Sequence, residues 1–319
     1  MSAFERWMSR VAVVVSCVCV GVVWVPGIAS AAVVGQKWAV VSATGTLARG
    51  NGVTAVSRLG AGVYSVQFTT DMSLCAYEAI GGDPGTAALV APVVTSVTLR
   101  SNPTQLLVKT FDESIGSVAD APFHVTTYCG PKLNDAVIAA DGTTVRGAHV
   151  SASSRIAAGS YAIDFDHDVS KCAFTATGAT TALPGPISVA GLFSDVNGVF
   201  VQTLSRAGVA TDLPFQLAVD CGATKLVGVI KRGGAKARGA HVTASANLQT
   251  GVYEVIFDRD VSACAYTATV GVTTNGGSVD DPVAITAASR TGNVDGVAIA
   301  IRDVNGVARN EPFHLKVTC

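Results

Sequence analysis

Six cysteines place the strongest limit on this chain. Early cysteines Cys75, Cys172 and Cys264 are 97 and 92 residues apart, and late cysteines Cys129, Cys221 and Cys319 are 92 and 98 apart. The early ones close a recurring phrase: "GVYSVQFTTDMSLCAYEA" from Gly62, "GSYAIDFDHDVSKCAFTA" from Gly159 and "GVYEVIFDRDVSACAYTA" from Gly251. The late ones end "APFHVTTYC", "LPFQLAVDC" and "EPFHLKVTC". A period near a hundred residues is domain-sized and too long for a solenoid unit. The chain therefore divides into a leader, 1–31, and three repeats, 33–131, 132–223 and 224–319.

The leader has the layout of a secretory signal peptide. Arg6 and Arg10 precede an apolar run from Val11 to Val25, then Pro26, Gly27 and small residues. Ala29 and Ala31 fit a cleavage pattern, with Ser30 and Ala32 as second choice. The run is shorter than the roughly 20 residues a membrane helix needs. An even cysteine number in an exported chain implies disulfides. Of the 15 pairings that six cysteines allow, the repeats select Cys75–Cys129, Cys172–Cys221 and Cys264–Cys319. No C-x-x-C remains after the leader, which argues against a thiol metal or redox site.

Within a repeat the pattern is that of strands. Tyr253, Val255 and Phe257 alternate with Glu254, Ile256 and Asp258, and Tyr161, Ile163 and Phe165 do the same. Period two sends one set towards a core. Gly62, Gly159 and Gly251 suit hairpin bends, Asn197-Gly198 and Asn305-Gly306 are turn dipeptides, and Pro122, Pro214 and Pro312 precede the last strand. The expected fold class is all-β: three tandem antiparallel β-sandwiches or small β-barrels of seven or eight strands, each with one disulfide. Spacers of a few residues after Cys129 and Cys221 predict a stiff string of three beads.

Candidate chemistry is thin. After leader removal the chain carries 20 basic and 22 acidic residues with no basic cluster, which argues against a nucleic-acid partner. Asp164, Asp166, His167 and Asp168, with Asp258 and Asp260, could converge on calcium. Only Asp71, Asp168 and Asp260 recur in every repeat, each followed two residues later by Ser, which reads as a turn rather than a site. The conserved set within the phrase is thus Tyr64, Phe68 and Asp71; Tyr161, Phe165 and Asp168; and Tyr253, Phe257 and Asp260. His124 and His314 face Gln216 in the second repeat, and His149 and His241 face Gly52 in the first, so no catalytic histidine occurs in every repeat. G-x-S-x-G, H-E-x-x-H and P-loop motifs are absent. No residue is assigned as catalytic, cofactor-binding or metal-ligating. Arg49, Arg146 and Arg238, each before a Gly, read as turn arginines paired with the shared Asp or laid over the aromatic strand.

The combined phrase YxVxFxxDVSxCAY…PFHLxVxC resembles a repeat of exported bacterial proteins of uncharacterised function, some of which look like heads or shafts of fibre-like surface proteins. The resemblance covers residues 38–319, with Phe174 and Gln216 as departures in the second repeat. It implies export and repetition and supplies no catalytic residue. The expectation is a non-enzymatic secreted or cell-surface protein for display, adhesion or ligand binding, with a cell-surface or glycan ligand. The competing expectation is a secreted enzyme or enzyme inhibitor with one specialised repeat. The variable stretches Gly81–Pro92, Gly178–Pro186 and Gly271–Pro282 are the expected contact loops.

Overall fold

A computed structural model describes residues 36–85, 91–277 and 282–319; the expected signal peptide lies outside them. The first repeat supplies β1 (Trp38–Val41), β2 (Leu47–Asn51), β3 (Val53–Gly60), β4 (Val63–Phe68), β5 (Ala76–Gly82), β6 (Val93–Leu99), β7 (Gln105–Asp112), β8 (Ser117–Val118) and β9 (Phe123–Tyr128). The second supplies β10 (Asn134–Ile138), β11 (Thr144–Ala148), β12 (Val150–Ala157), β13 (Ser160–Phe165), β14 (Ala173–Gly178), β15 (Ile187–Gly191), β16 (Gly198–Thr203) and β17 (Phe215–Asp220). The third supplies β18 (Leu226–Ile230), β19 (Lys236–Ala240), β20 (Val242–Gln249), β21 (Val252–Phe257), β22 (Ala265–Asn275), β23 (Val283–Ser289), β24 (Gly296–Asp303) and β25 (Phe313–Thr318). No helix occurs among the described residues, and none is therefore long and apolar enough to cross a membrane.

Each repeat is a sandwich, not a barrel. In the first, β2-β1-β9-β5 form one antiparallel layer and β3-β4-β7-β6 the other, with β8 on β7. Between them lie Val41, Tyr64, Val66, Phe68, Tyr77, Val108 and Phe123, all buried. The recurring phrase builds this core. Tyr64, Tyr161 and Tyr253 pack against Phe123, Phe215 and Phe313 with ring centroids 5.0, 5.0 and 5.2 Å apart. Their hydroxyls, too polar to bury unpaired, donate to the carbonyls of Ala43, Ala140 and Arg232 at 2.8, 3.0 and 3.0 Å. The hairpin glycine is required: Gly62 has φ +61°, and a Cβ there would stand 2.6 Å from the Thr110 carbonyl oxygen.

The three disulfides are Cys75–Cys129, Cys172–Cys221 and Cys264–Cys319, with Cα separations of 4.5, 4.5 and 4.4 Å. Each extends a register in which the first residue of one strand faces the last of its neighbour, as Ala76 faces Tyr128. They close loops of about 50 residues and restrict the unfolded chain by about 4 kcal/mol each in the loop-entropy picture.

The string of beads is overturned. Every repeat leaves two strand edges near its middle, and each edge pairs in parallel with another repeat. β14 pairs with β6 at Gly178 and Ser96, β15 with β22 at Ser188 and Val270, and β5 with β23 at Thr286 and Gly81. Three continuous sheets result, each spanning two repeats, and they join first to second, second to third and third to first. The ring closes on itself, and residues 33–319 form one compact unit. Edge pairing is the physical reason: open backbone donors and acceptors are satisfied inside the molecule rather than left to recruit other chains.

Candidate functional site

The joins between repeats are built from residues that recur. Arg49 Nε donates to the Cys264 carbonyl at 3.0 Å, Arg146 Nε to Cys75 at 2.7 Å and Arg238 Nε to Cys172 at 3.0 Å. These arginines therefore clasp the neighbouring repeat rather than the shared Asp of their own. Arg146 and Arg238 also lie over the rings of Tyr77 and Phe174, 5.3 and 5.7 Å from their centroids, again across a join. The position shared by His124, Gln216 and His314 is the matching acceptor. His124 Nδ1 accepts the Tyr266 amide at 2.9 Å, Gln216 Oε1 the Tyr77 amide at 2.6 Å and His314 Nδ1 the Phe174 amide at 2.9 Å. The departure from His to Gln thus preserves the function of the side chain. Burial, and then the charge of Arg49 or Arg238, push the pKa of His124 and His314 down to about 3, so both remain neutral acceptors.

Where the three repeats meet, the residues differ. Glu78 Oε2 accepts from the hydroxyls of Tyr128 and Thr175, both at 2.7 Å. Lys316 Nζ lies 2.9 Å from Asp220 Oδ2 and 3.9 Å from the centre of the Tyr128 ring. All five side chains are buried. Burial raises the Glu78 carboxyl to about 7, against the pull of Thr175 and Tyr128, and lowers Lys316 against the attraction of Asp220. Without solvent contact this cluster is an internal polar tie between repeats, not an open site.

A recess of about 50 Å³ lies at the joins. It is lined by Ile80 and Gly81 of β5, Val93 of β6, Thr177 of β14, Pro186 before β15, and Ile285 of β23, among others. These are the flanks of the three expected contact loops, of which residues 86–90 and 278–281 lie outside the described set. The loops are also tied across repeats. Ser289 N–H donates to the Gly85 carbonyl at 3.2 Å, Gly276 N–H to Gly191 at 2.7 Å, and Lys109 Nζ to Thr181 at 2.6 Å. Three unlike loops thus spring from one shared mouth, which no reading of a single repeat could reveal.

The shared aspartates sit in turns. Asp71, Asp168 and Asp260 each accept from the amide of Ser73, Ser170 or Ser262, at 2.7, 2.8 and 2.8 Å, and the serine hydroxyls, followed by these amides, lower the three carboxyls. The acidic cluster of the second repeat does not converge as a triad of aspartates. Asp166 instead takes His149 Nδ1 at 2.9 Å and His167 Nδ1 at 2.6 Å on its two oxygens. His149 Nε2 faces the Pro131 carbonyl at 2.7 Å. The Asp166 carboxyl is held low by His167 and His149, and the same bond to Asp166, followed by that to Pro131, raises His149. In sequence, His149 and His167 looked unrelated; the signal was the hairpin register, which sets Val150 opposite Phe165.

Comparison with protein-family models, with characterised proteins and with solved structures finds no match to this chain.

Proposed function

We propose that this is an exported, non-enzymatic protein for display, adhesion or ligand binding outside the cell, whose contact surface is the composite of the three loops at the shared mouth. The observation that carries this reading is convergence: residues flanking all three variable stretches line one recess. Three disulfides and an all-β architecture support an oxidising destination. Loops on a rigid sandwich scaffold are the usual place for recognition. Sheets continuous across the joins hold the loops in a fixed relation, which lowers the ordering cost of binding.

The test is a screen of glycans and cell surfaces against the oxidised, leader-free protein, repeated after each loop in turn is replaced by a Gly/Ser segment of equal length. Loss of binding from any single replacement supports a composite surface. Binding that survives all three, or a measurable hydrolytic turnover with no binding, would overturn it.

A further inference from the structure

One corner of each repeat, at the turn after the aromatic strand, is built on the same backbone bond. The amides of Thr69, Asp166 and Asp258 donate to the carbonyls of Gly52, His149 and His241, each at 2.9 Å. The side chains there differ. In the first repeat Lys37 Nζ lies against Thr69 Oγ1 at 3.0 Å. In the third, Asp258 is held by His241 at 2.6 Å and by the Arg259 guanidinium at 2.8 Å, and Arg259 also meets His241 Nδ1 at 2.9 Å. Two of the three corners therefore contain a fixed cation. The second places His167 where Arg259 stands, and the imidazoles of His149 and His167 flank one carboxylate.

From this arrangement we propose that His149, Asp166 and His167 bind a divalent transition-metal ion of the zinc class. One ligand atom from each lies within 4.8 Å of the others. A tetrahedral ion with bonds of about 2.0–2.1 Å needs ligand atoms roughly 3.4 Å apart, a spacing that small rotations of these side chains reach. The chemistry favours this class over calcium: two imidazole nitrogens and one carboxylate suit zinc, copper or nickel, whereas calcium takes six to eight oxygens. The bond from His149 Nε2 to the Pro131 carbonyl fixes the ring as an outer partner does for a metal-bound histidine, so that Nδ1, once a metal displaces its proton, turns its lone pair to the side of Asp166. Three protein ligands leave a coordination position open to water or to a group on a partner.

The test is calorimetric titration of zinc into the oxidised protein without a purification tag, with calcium as competitor. One equivalent bound, unaffected by excess calcium, is expected. His167→Arg, which copies the corner of the third repeat, and Asp166→Asn should each weaken it at least about tenfold, while His241→Asn leaves it unchanged. A failure to bind zinc, equal displacement by calcium, or full affinity in His167→Arg would overturn the proposal. Because His167→Arg copies an arrangement that the fold already contains, loss of folding is not its expected effect, and circular dichroism of each variant checks this.

Discussion

The rim of each join and the centre where the three meet follow opposite rules. At the rims, the same three parts recur: an arginine clasping the cysteine carbonyl, a His or Gln taking an amide, and a parallel strand pair. At the centre, Glu78 stands where the other repeats have Thr175 and Thr267, and Tyr128 where they have Asp220 and Thr318. Lys316 likewise replaces Thr126 and Ala218. Recurrence at the rims makes any two repeats able to join. The unlike centre gives a chain with three nearly interchangeable joins a reason to prefer one order, since a wrong neighbour strands a buried charge.

The sharpest way to break this contrast is at Lys316. Lys316→Ala leaves Asp220 buried without its cation and should destabilise the protein by about 3–5 kcal/mol, measured by urea denaturation. The double variant Lys316→Met with Asp220→Leu should recover most of that loss yet populate misjoined or intermolecular forms, visible as larger species in size-exclusion chromatography.

The rims can be read by pH. A histidine held at about 3 in the fold and about 6.5 when unfolded contributes stability that is complete above about 6.5 and lost as pH falls towards 3. At pH 5 the loss is about 2 kcal/mol for each of His124 and His314. Glu78 acts in the opposite sense: raised from 4.5 to about 7, it loses stability as pH rises through that window. The informative quantity is therefore the difference between wild type and His124→Gln with His314→Gln. That variant, which copies Gln216, should gain on the wild type steadily from pH 7 to pH 5. A difference independent of pH would show that the buried histidines are not neutral acceptors.

A smaller effect is expected at the arginine clasps. Arg238→Ala removes donors to the Cys172 and Thr273 carbonyls, the latter at 2.7 Å, and should cost about 1–3 kcal/mol in thermal or chemical unfolding. The smallest belongs to Gln216→His. It makes the three rims more alike and should shift stability by less than about 1 kcal/mol; a large loss would mean that the Gln216 Nε2 bond to the Val97 carbonyl, 2.9 Å, matters more than the shared acceptor.

Much of the repeat was legible because its signals are local. Alternation in "YEVIF", the glycine two residues before each Tyr and the paired cysteines all act within one sandwich. The closure was not legible, because β5 and β23 lie some 200 residues apart and parallel pairing leaves no periodic mark. Hints did exist. β5, β9, β17 and β25 are buried along their whole length, and their sequences carry Glu78, Asp220 and Lys316 where a one-sided strand would show them to water. The alternation of His and Gln after "PF" hides what the position shares, since the common property is the capacity to accept a hydrogen bond and not the residue type. Sequence proximity pairs the arginines with the Asp of their own repeat, whereas the register carries them to the cysteine of the neighbouring one.

Closure has a topological consequence. A ring whose third member joins its first has no intrinsic beginning, and the passage from Cys319 back to Lys37 corresponds to the short spacers after Cys129 and Cys221. A circular permutant opened between Gly222 and Lys225, with Cys319 linked to Lys37 through a spacer of similar length, keeps every join. By the same logic, one repeat made alone exposes two unsatisfied edges, but a ring closed from its own copies would set three identical residues at the centre in place of Glu78, Asp220 and Lys316.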